Sequence, residues 1–342
     1  MKFFFKLILT FGILLIIGSF GVYQYYQASL KPTNPGEAVV VEIPKGSSSK
    51  KIADLLEQHQ IIKNSQTFVI YLQQKGKGSQ LQAGKYQFTP GQTVDEVIGK
   101  MVNGEVYVDS VEVTIPEGWT VTQIASLLAE KGLVNKDKFI QETNTGSFSY
   151  PFVENIPSSL PYRLEGYLFP KTYQFEKGIS EHAIIDRMLA QFQAEYNSAW
   201  TEQLNQRNMS IHDMITLASI VEREVSVPKE RPIVAGVYYN RLKQDILLQA
   251  DATVQYALRE QKERLTYKDL EIDDVYNTYK YKGLPPGPIA APGISSIEAV
   301  IKPAQHEFLF YVTKKDGSGE HYFSKTYNEH LKNIALSNRG QK

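Results

Sequence analysis

The run from Leu7 to Val22 constrains this chain more than any other stretch. It carries no charge, follows Lys2 and Lys6, and is followed by Tyr23, Tyr25 and Tyr26. Positive charge before an apolar span, with aromatic residues after it, matches the cytoplasmic side, hydrocarbon core and far interface of a bilayer. The expected organisation is a short cytoplasmic tail over 1–6, a transmembrane anchor over 7–26 and a linker over 27–39, where SLKPTNPGEA carries two prolines. The rival is a cleaved secretory signal, with Gln27-Ala28-Ser29 as a faint processing site. Length and aromatic flank favour a retained anchor. Either way the remaining residues are expected outside the cytoplasm.

Those residues contain a repeat. VEIPKGSSSKKIADLLEQHQII from Val41 and VTIPEGWTVTQIASLLAEKGLV from Val113 align with Ile43 and Ile115 standing 72 residues apart. The register matches Pro44 with Pro116, Gly46 with Gly118, Ile52 with Ile124, and Leu55-Leu56 with Leu127-Leu128. Each copy reads as an extended piece, a Pro/Gly turn, a small polar N-cap and an amphipathic helix. Phe88 to Glu105 repeats a shorter form of the theme. One reading is a generic strand–turn–helix unit in a small α+β core. The other is a resemblance to LysM domains, closest over Val113 to Ala125, which implies glycans containing N-acetylglucosamine. The LysM-like region is placed at 40–143 and a second domain at 144–338, with the change at the Ser-, Pro-, Asn- and Gly-rich stretch from Asn144 to Pro161.

Composition removes several chemistries. There is no cysteine, which excludes thiolate catalysis, disulfides and cysteine-based zinc sites. His306-Glu307 runs into Phe308, Leu309 and Phe310 and is no H-E-x-x-H pair, and His321 and His330 lack helical ligand spacing. No metal and no cofactor is expected. With 37 basic against 37 acidic residues, the basic excess of a nucleic-acid binder is missing. No nucleophile elbow, P-loop or dinucleotide fingerprint appears.

The second half holds the chemistry. Glu181 to roughly Asn208 reads as one or two helices, and Ser210-Ile-His-Asp213 as a capping-box start for a helix from Ile211. That helix, ending ITLASIVEREV, places Ile211, Met214, Ile215, Leu217, Ala218, Val221 and Val225 on one broad arc. Glu222 and Glu224 fall on opposite margins of the arc, about 160° apart. A carboxyl at an apolar edge has its pKa raised, which suits a general acid. The alternative is a structural ion pair with Arg223, Lys229 or Arg231, and periodicity does not choose between the two. Leu247 to Tyr256 alternates or opens a helix at Asp251. Gly283 to Gly293 is too rich in Pro and Gly for regular structure. Glu307 to Thr313 and His321 to Phe323, joined through Asp316-Gly-Ser-Gly319, read as a terminal β-hairpin. Asn, Gln, Asp and Tyr gathered in irregular backbone are the usual lining of a sugar groove.

The order EGYLFPKTY, LASIVEREV, YYNRL, LQADATVQYAL, YNTYKYKGLPPGPIAAPG and the last strand pair resembles the endolytic murein transglycosylase, or YceG-like, family. The resemblance covers nearly the whole chain. It departs at Lys171, Ala252 and Ala291, where that family commonly has aspartate, proline and asparagine. It implies that the second acid of the string, Glu224, is catalytic. It also implies a substrate groove, for which Glu165, Tyr167, Glu222, Asn240, Arg241, Gln249, Asp251, Asn277 and Tyr279 are the candidates. The implied fold class is α+β: one transmembrane helix, a LysM-like α+β region, and a mixed α/β catalytic domain with a terminal β-hairpin. The implied reaction cuts nascent peptidoglycan strands between N-acetylmuramic acid and N-acetylglucosamine, leaving 1,6-anhydro ends, at the outer face of the cell membrane. Cell-wall synthases and the division or elongation machinery are the implied partners. A hydrolytic muramidase using Asp251 or Glu165 as second carboxylate, and a non-catalytic cell-wall tether, are the alternatives.

Overall fold

The computed structural model describes residues 2–34, 36–262 and 264–339. It forms two compact units, Met1–Asp109 and Ser110–Lys342, which are described in turn.

The first unit opens with α1 (Lys2–Ser29), then runs β1 (Val39–Ile43), α2 (Ser49–Gln58), α3 (Ser65–Gln74), β2 (Gly84–Phe88) and α4 (Val94–Val102). Within α1, Leu9–Ser29 is apolar enough to cross a membrane, and its large apolar side chains are mostly exposed, Ile16 by 71% and Phe20 by 62%. At 1.5 Å per residue these 21 residues span about 31 Å, the thickness of a hydrocarbon core. The helix fits a single-pass anchor; a secretory leader has the same length and composition. β1 and β2 pair antiparallel with Val39 opposite Phe88. Their buried faces, with α2, α3 and α4, enclose a core of Ile52, Leu56, Phe68, Leu72, Tyr86 and Met101.

The second unit runs β3 (Ser110–Thr114), α5 (Val121–Glu130), α6 (Lys136–Thr145), α7 (Pro151–Glu154), β4 (Thr172–Glu176), α8 (Glu181–Glu195), α9 (Ala199–Asn205) and α10 (Ile211–Glu224). A 3₁₀ turn at Pro228–Glu230 leads to α11 (Arg231–Lys243), α12 (Asp251–Leu258), α13 (Tyr267–Leu270) and α14 (Ile294–Ile301). The chain then forms β5 (Phe310–Thr313), β6 (His321–Ser324) and α15 (Tyr327–Arg339). The result is a mixed α+β chain.

The sequence repeat is a topological repeat. Each unit contains a strand, a helix pair and a returning antiparallel strand: β1-α2-α3-β2 and β3-α5-α6-β4, the second with the short helix α7 inserted before β4. The equivalent turn glycines Gly46 and Gly118 share a left-handed φ of 76° and 74°, a conformation that glycine adopts without steric penalty. Polar side chains cap the equivalent helices: Ser48 and Thr120 accept the amides of Lys51 and Gln123, and Asn64 and Asn135 those of Thr67 and Lys138. Phe68 and Phe139 then lie one turn inside α3 and α6, both buried. The division between compact units lies at Asp109–Ser110, so the stretch from Asn144 to Pro161 is interior to the second unit. The reason is pairing: β3 takes β4 as partner across that stretch, with Ser110 opposite Glu176.

α10 is the spine of the second unit. A capping box of Ser210 and Asp213 starts it at Ile211. Every residue from Met214 to Val221 is buried, Thr216 and Ser219 included, so the amphipathic arc drawn from sequence widens into an all-round core helix. α9, α11, α12 and α14 pack around it. The two buried hydroxyls are hydrogen-bonded, Thr216 donating to the His212 carbonyl and Ser219 to the Thr216 carbonyl, as burial requires. β5 and β6 pair antiparallel with Phe310 opposite Ser324, and α15 follows, so this strand pair is not the end of the fold.

Candidate active site

α10 stops at Glu224 because Val225 leaves helical geometry, at φ −120° and ψ 108°. This sets the two glutamates of the last turn in different surroundings. The Glu222 side chain is 6% exposed, and its Oε1 accepts from Arg231 Nη2 at 2.8 Å. Its Oε2 accepts from the amide of Gly293, which caps α14, at 3.0 Å. Arg231 also reaches Glu117 at 3.8 Å and bonds the Ser295 hydroxyl. Glu222 is therefore a tie between α10, α11 and α14, the structural ion pair that periodicity left open.

Glu224 has no ion pair among the described residues. Its Oε1 accepts from the Ala252 amide in the first turn of α12, at 3.3 Å, and its Oε2 from the Tyr311 hydroxyl on β5, at 3.0 Å. The residue keeps some exposed surface, while its carboxyl is closely surrounded. That desolvation pushes its pKa up; the bonds from Ala252 and Tyr311 pull down, the nearby Asp251 charge pushes up, and His321 pulls down. The C-terminal end of α10 also disfavours an anion there.

Tyrosines complete the surroundings. Tyr238 on α11 is fully buried, with its hydroxyl 2.7 Å from that of Tyr311. Burial first, and then the Glu224 charge, raises both phenols well above their ordinary range, so they remain protonated. An ionised Glu224 only accepts. Tyr311 must then donate to Glu224 and Tyr238 to Tyr311. His321 on β6 stands edge-on to Tyr311, ring centres 5.4 Å apart, and bonds Glu230 Oε2 through Nδ1 at 2.8 Å.

The other candidates divide by environment. Asp251 is exposed at the start of α12 and accepts from the Tyr279 hydroxyl at 2.5 Å. Gln249 is exposed beside it, with a left-handed φ of 51°, a strained setting for a residue with a side chain. Asn240 donates to the carbonyls of His306 and Phe308. Arg241 donates to those of Leu309, Leu247 and Leu248. Together they fix the approach to β5 and hence the place of Tyr311. Asn277 is fully buried; its amide donates to the carbonyls of Leu270 and Ile272. Tyr167 is fully buried against Phe152 and bonds His212 Nδ1 at 2.9 Å. Asn240, Arg241, Asn277 and Tyr167 thus each bond the scaffold. Glu165 is 1% exposed, accepting from the Val121 amide at 2.9 Å and the Tyr256 hydroxyl at 3.3 Å. Burial pushes its carboxyl up to about 8. It faces a cavity of about 360 Å³ that Glu224 itself does not line.

Tyr311, Tyr238, His321 and the Ala252 amide were not singled out from sequence. Tyr311 lies 87 residues from Glu224, and no local spacing could join them. The only signal was the recurrence of the last strand pair among the linked strings.

A single desolvated carboxyl, bonded by neutral donors and reachable from outside, can give up a proton and take it back. Fold and site together describe an α+β protein with a desolvated carboxyl at the end of its central helix. The sequence profile of the YceG-like family matches residues 41–336, and the chain belongs to that family. It is 36% identical over 330 residues to an endolytic murein transglycosylase of Bacillus subtilis, covering 93% of this chain and 90% of that one. A Streptococcus pneumoniae protein of the same name is 31% identical over 353 residues, covering 96% of this chain and 64% of its own length. The crystal structure of a YceG-like protein from Listeria monocytogenes superposes with a TM-score of 0.59 at 36% identity, covering 86% of this chain and 98% of that one.

Proposed function

We propose that this chain is a membrane-anchored endolytic murein transglycosylase with Glu224 as its single acid–base group. The observation that carries the reading is the contrast within one helical turn. Glu222 is held by Arg231 and the Gly293 amide, while Glu224 is desolvated, has no ion pair among the described residues and is bonded only by neutral donors.

In the first step protonated Glu224 donates to the glycosidic oxygen as the bond from C1 of N-acetylmuramic acid breaks. In the second, the C6 hydroxyl of the same sugar bonds to C1, and its proton returns to Glu224. No water is consumed, and the product carries a 1,6-anhydro end. A raised pKa keeps the acid protonated for the first step. The nucleophile belongs to the substrate, so ring closure profits from enforced proximity and needs no second carboxylate. The bonds from Tyr311 and the Ala252 amide stabilise the carboxylate between the steps. Asp251 and Gln249, both exposed, and the half-buried Tyr279 are the candidates for holding the strand. The names of the relatives support the substrate class. α1 anchors the chain, with the N-terminus cytoplasmic and the residues after α1 on the side where peptidoglycan lies, beside the synthases that extend new strands.

The test is digestion of purified glycan strands by the full chain in detergent, with mass spectrometry of the ends. Wild type should yield internal fragments with anhydro ends, and Glu224→Gln should lower their rate by about 10³-fold. Reducing ends instead would make the protein a hydrolase. Unchanged activity in Glu224→Gln would remove this residue from the chemistry.

A further inference from the structure

The cavity that Glu165 faces has no part in the chemistry described above, yet it shares α10 and α12 with the acid–base centre. Its volume of about 360 Å³ lies at the lower end for small-molecule sites. The start of α5, the segment Pro161–Glu165 and helix α12 wall it. Two residues connect it to the acid–base centre. Arg223 lines it and precedes Glu224 in the chain, and Ala252 lines it while its amide bonds Glu224.

Three features define what would fit. Half-buried Tyr256 offers its ring, backed by buried Tyr276 with ring centres 4.8 Å apart, and an aromatic face of this kind stacks on the apolar face of a sugar ring. Gln255 and Gln261 are held in a chain in which Arg223 Nη2 donates to Gln261, and Gln261 to Gln255, both at 2.5 Å. Pre-ordered amides suit hydroxyl and acetamido groups. Ala257 and Ile289 supply apolar wall for an acetyl methyl. Glu165 fastens the floor by bonding the Val121 amide of α5 and the Tyr256 hydroxyl of α12.

We propose that this cavity is a subsite for an N-acetylated hexosamine of the same glycan strand, adjacent to the bond that Glu224 faces. The inference rests on the function proposed above. Such a subsite would grip an internal unit of the strand, which is what an endolytic cut requires.

The experiment uses the full chain in detergent with two variants, Ala257→Phe to fill the cavity and Gln255→Ala to remove one amide. Binding of N,N′,N″-triacetylchitotriose is measured by calorimetry in the Glu224→Gln background. Turnover of peptide-free glycan strands is measured in the wild-type background, with thermal unfolding as the folding control. The expected result is binding weakened about tenfold and KM raised about tenfold, with kcat within twofold of wild type. If Ala257→Phe unfolds early, Gln255→Ala decides alone. Unchanged binding and KM in the folded variants would overturn the subsite while leaving the transglycosylase reading intact. Weakened binding in a protein whose wild type makes no anhydro ends would keep the subsite and overturn that reading instead.

Discussion

At the residue scale, charge placement separates two neighbouring acids, and that separation can be measured. Tyr311 stabilises ionised Glu224, so Tyr311→Phe should raise the Glu224 pKa further. The alkaline limb of the pH–rate profile, where the acid form is lost, should then move to higher pH. The rate at neutral pH should drop about tenfold, as one charge-assisted bond is removed. A limb that stays in place would mean Tyr311 does not hold the acid. Glu165 gives a stability signature. Its folded pKa, about 8, lies above the unfolded value, so the native state binds the extra proton between roughly pH 4.5 and 8. Stability should fall through that window as pH rises, by up to about 1.4 kcal/mol per unit, and level off above it. Glu165→Gln should flatten this slope in urea unfolding measured across pH. An unchanged slope would assign the pH dependence to other groups.

At the scale of elements, α10 is held to α11 and α14 by the pair of Glu222 and Arg231, both side chains below a tenth exposed. Replacing Glu222 with Gln leaves the guanidinium buried with Glu117 as its more distant carboxylate, which should cost about 3 kcal/mol. Urea unfolding reads this directly, and a loss below about 1 kcal/mol would mean the pair contributes little. Much at this scale was legible in the sequence. Ser210 and Asp213 marked the start of α10, and Pro-x-Gly followed by a polar cap marked the two equivalent turns, because both signals act over three or four residues. The burial of Thr216 and Ser219 was not legible. A helical arc predicts one buried face, whereas α10 is surrounded by four other helices.

At the scale of the whole molecule, Leu9–Ser29 is long and apolar enough to cross a membrane, and the proposed anchoring is directly testable. The full chain should sediment with phospholipid vesicles, while a chain beginning at Leu30 should stay in the supernatant. Vesicle binding by the shorter chain would place the membrane contact elsewhere. The sequence by itself determined the apolar span, the repeat at 72 residues, the α+β class, the chemistries excluded for want of cysteine, and the string that carries Glu222 and Glu224. These are properties of composition and of neighbours along the chain, where propensity and periodicity act. The tertiary structure alone decided that Glu222 has an ion pair and Glu224 none among the described residues, that Asn240, Arg241 and Asn277 bond backbone carbonyls, and that Tyr311 reaches Glu224 across 87 positions. Hydrogen bonds and desolvation depend on which atoms are brought within about 3 Å, and only the packed chain fixes that.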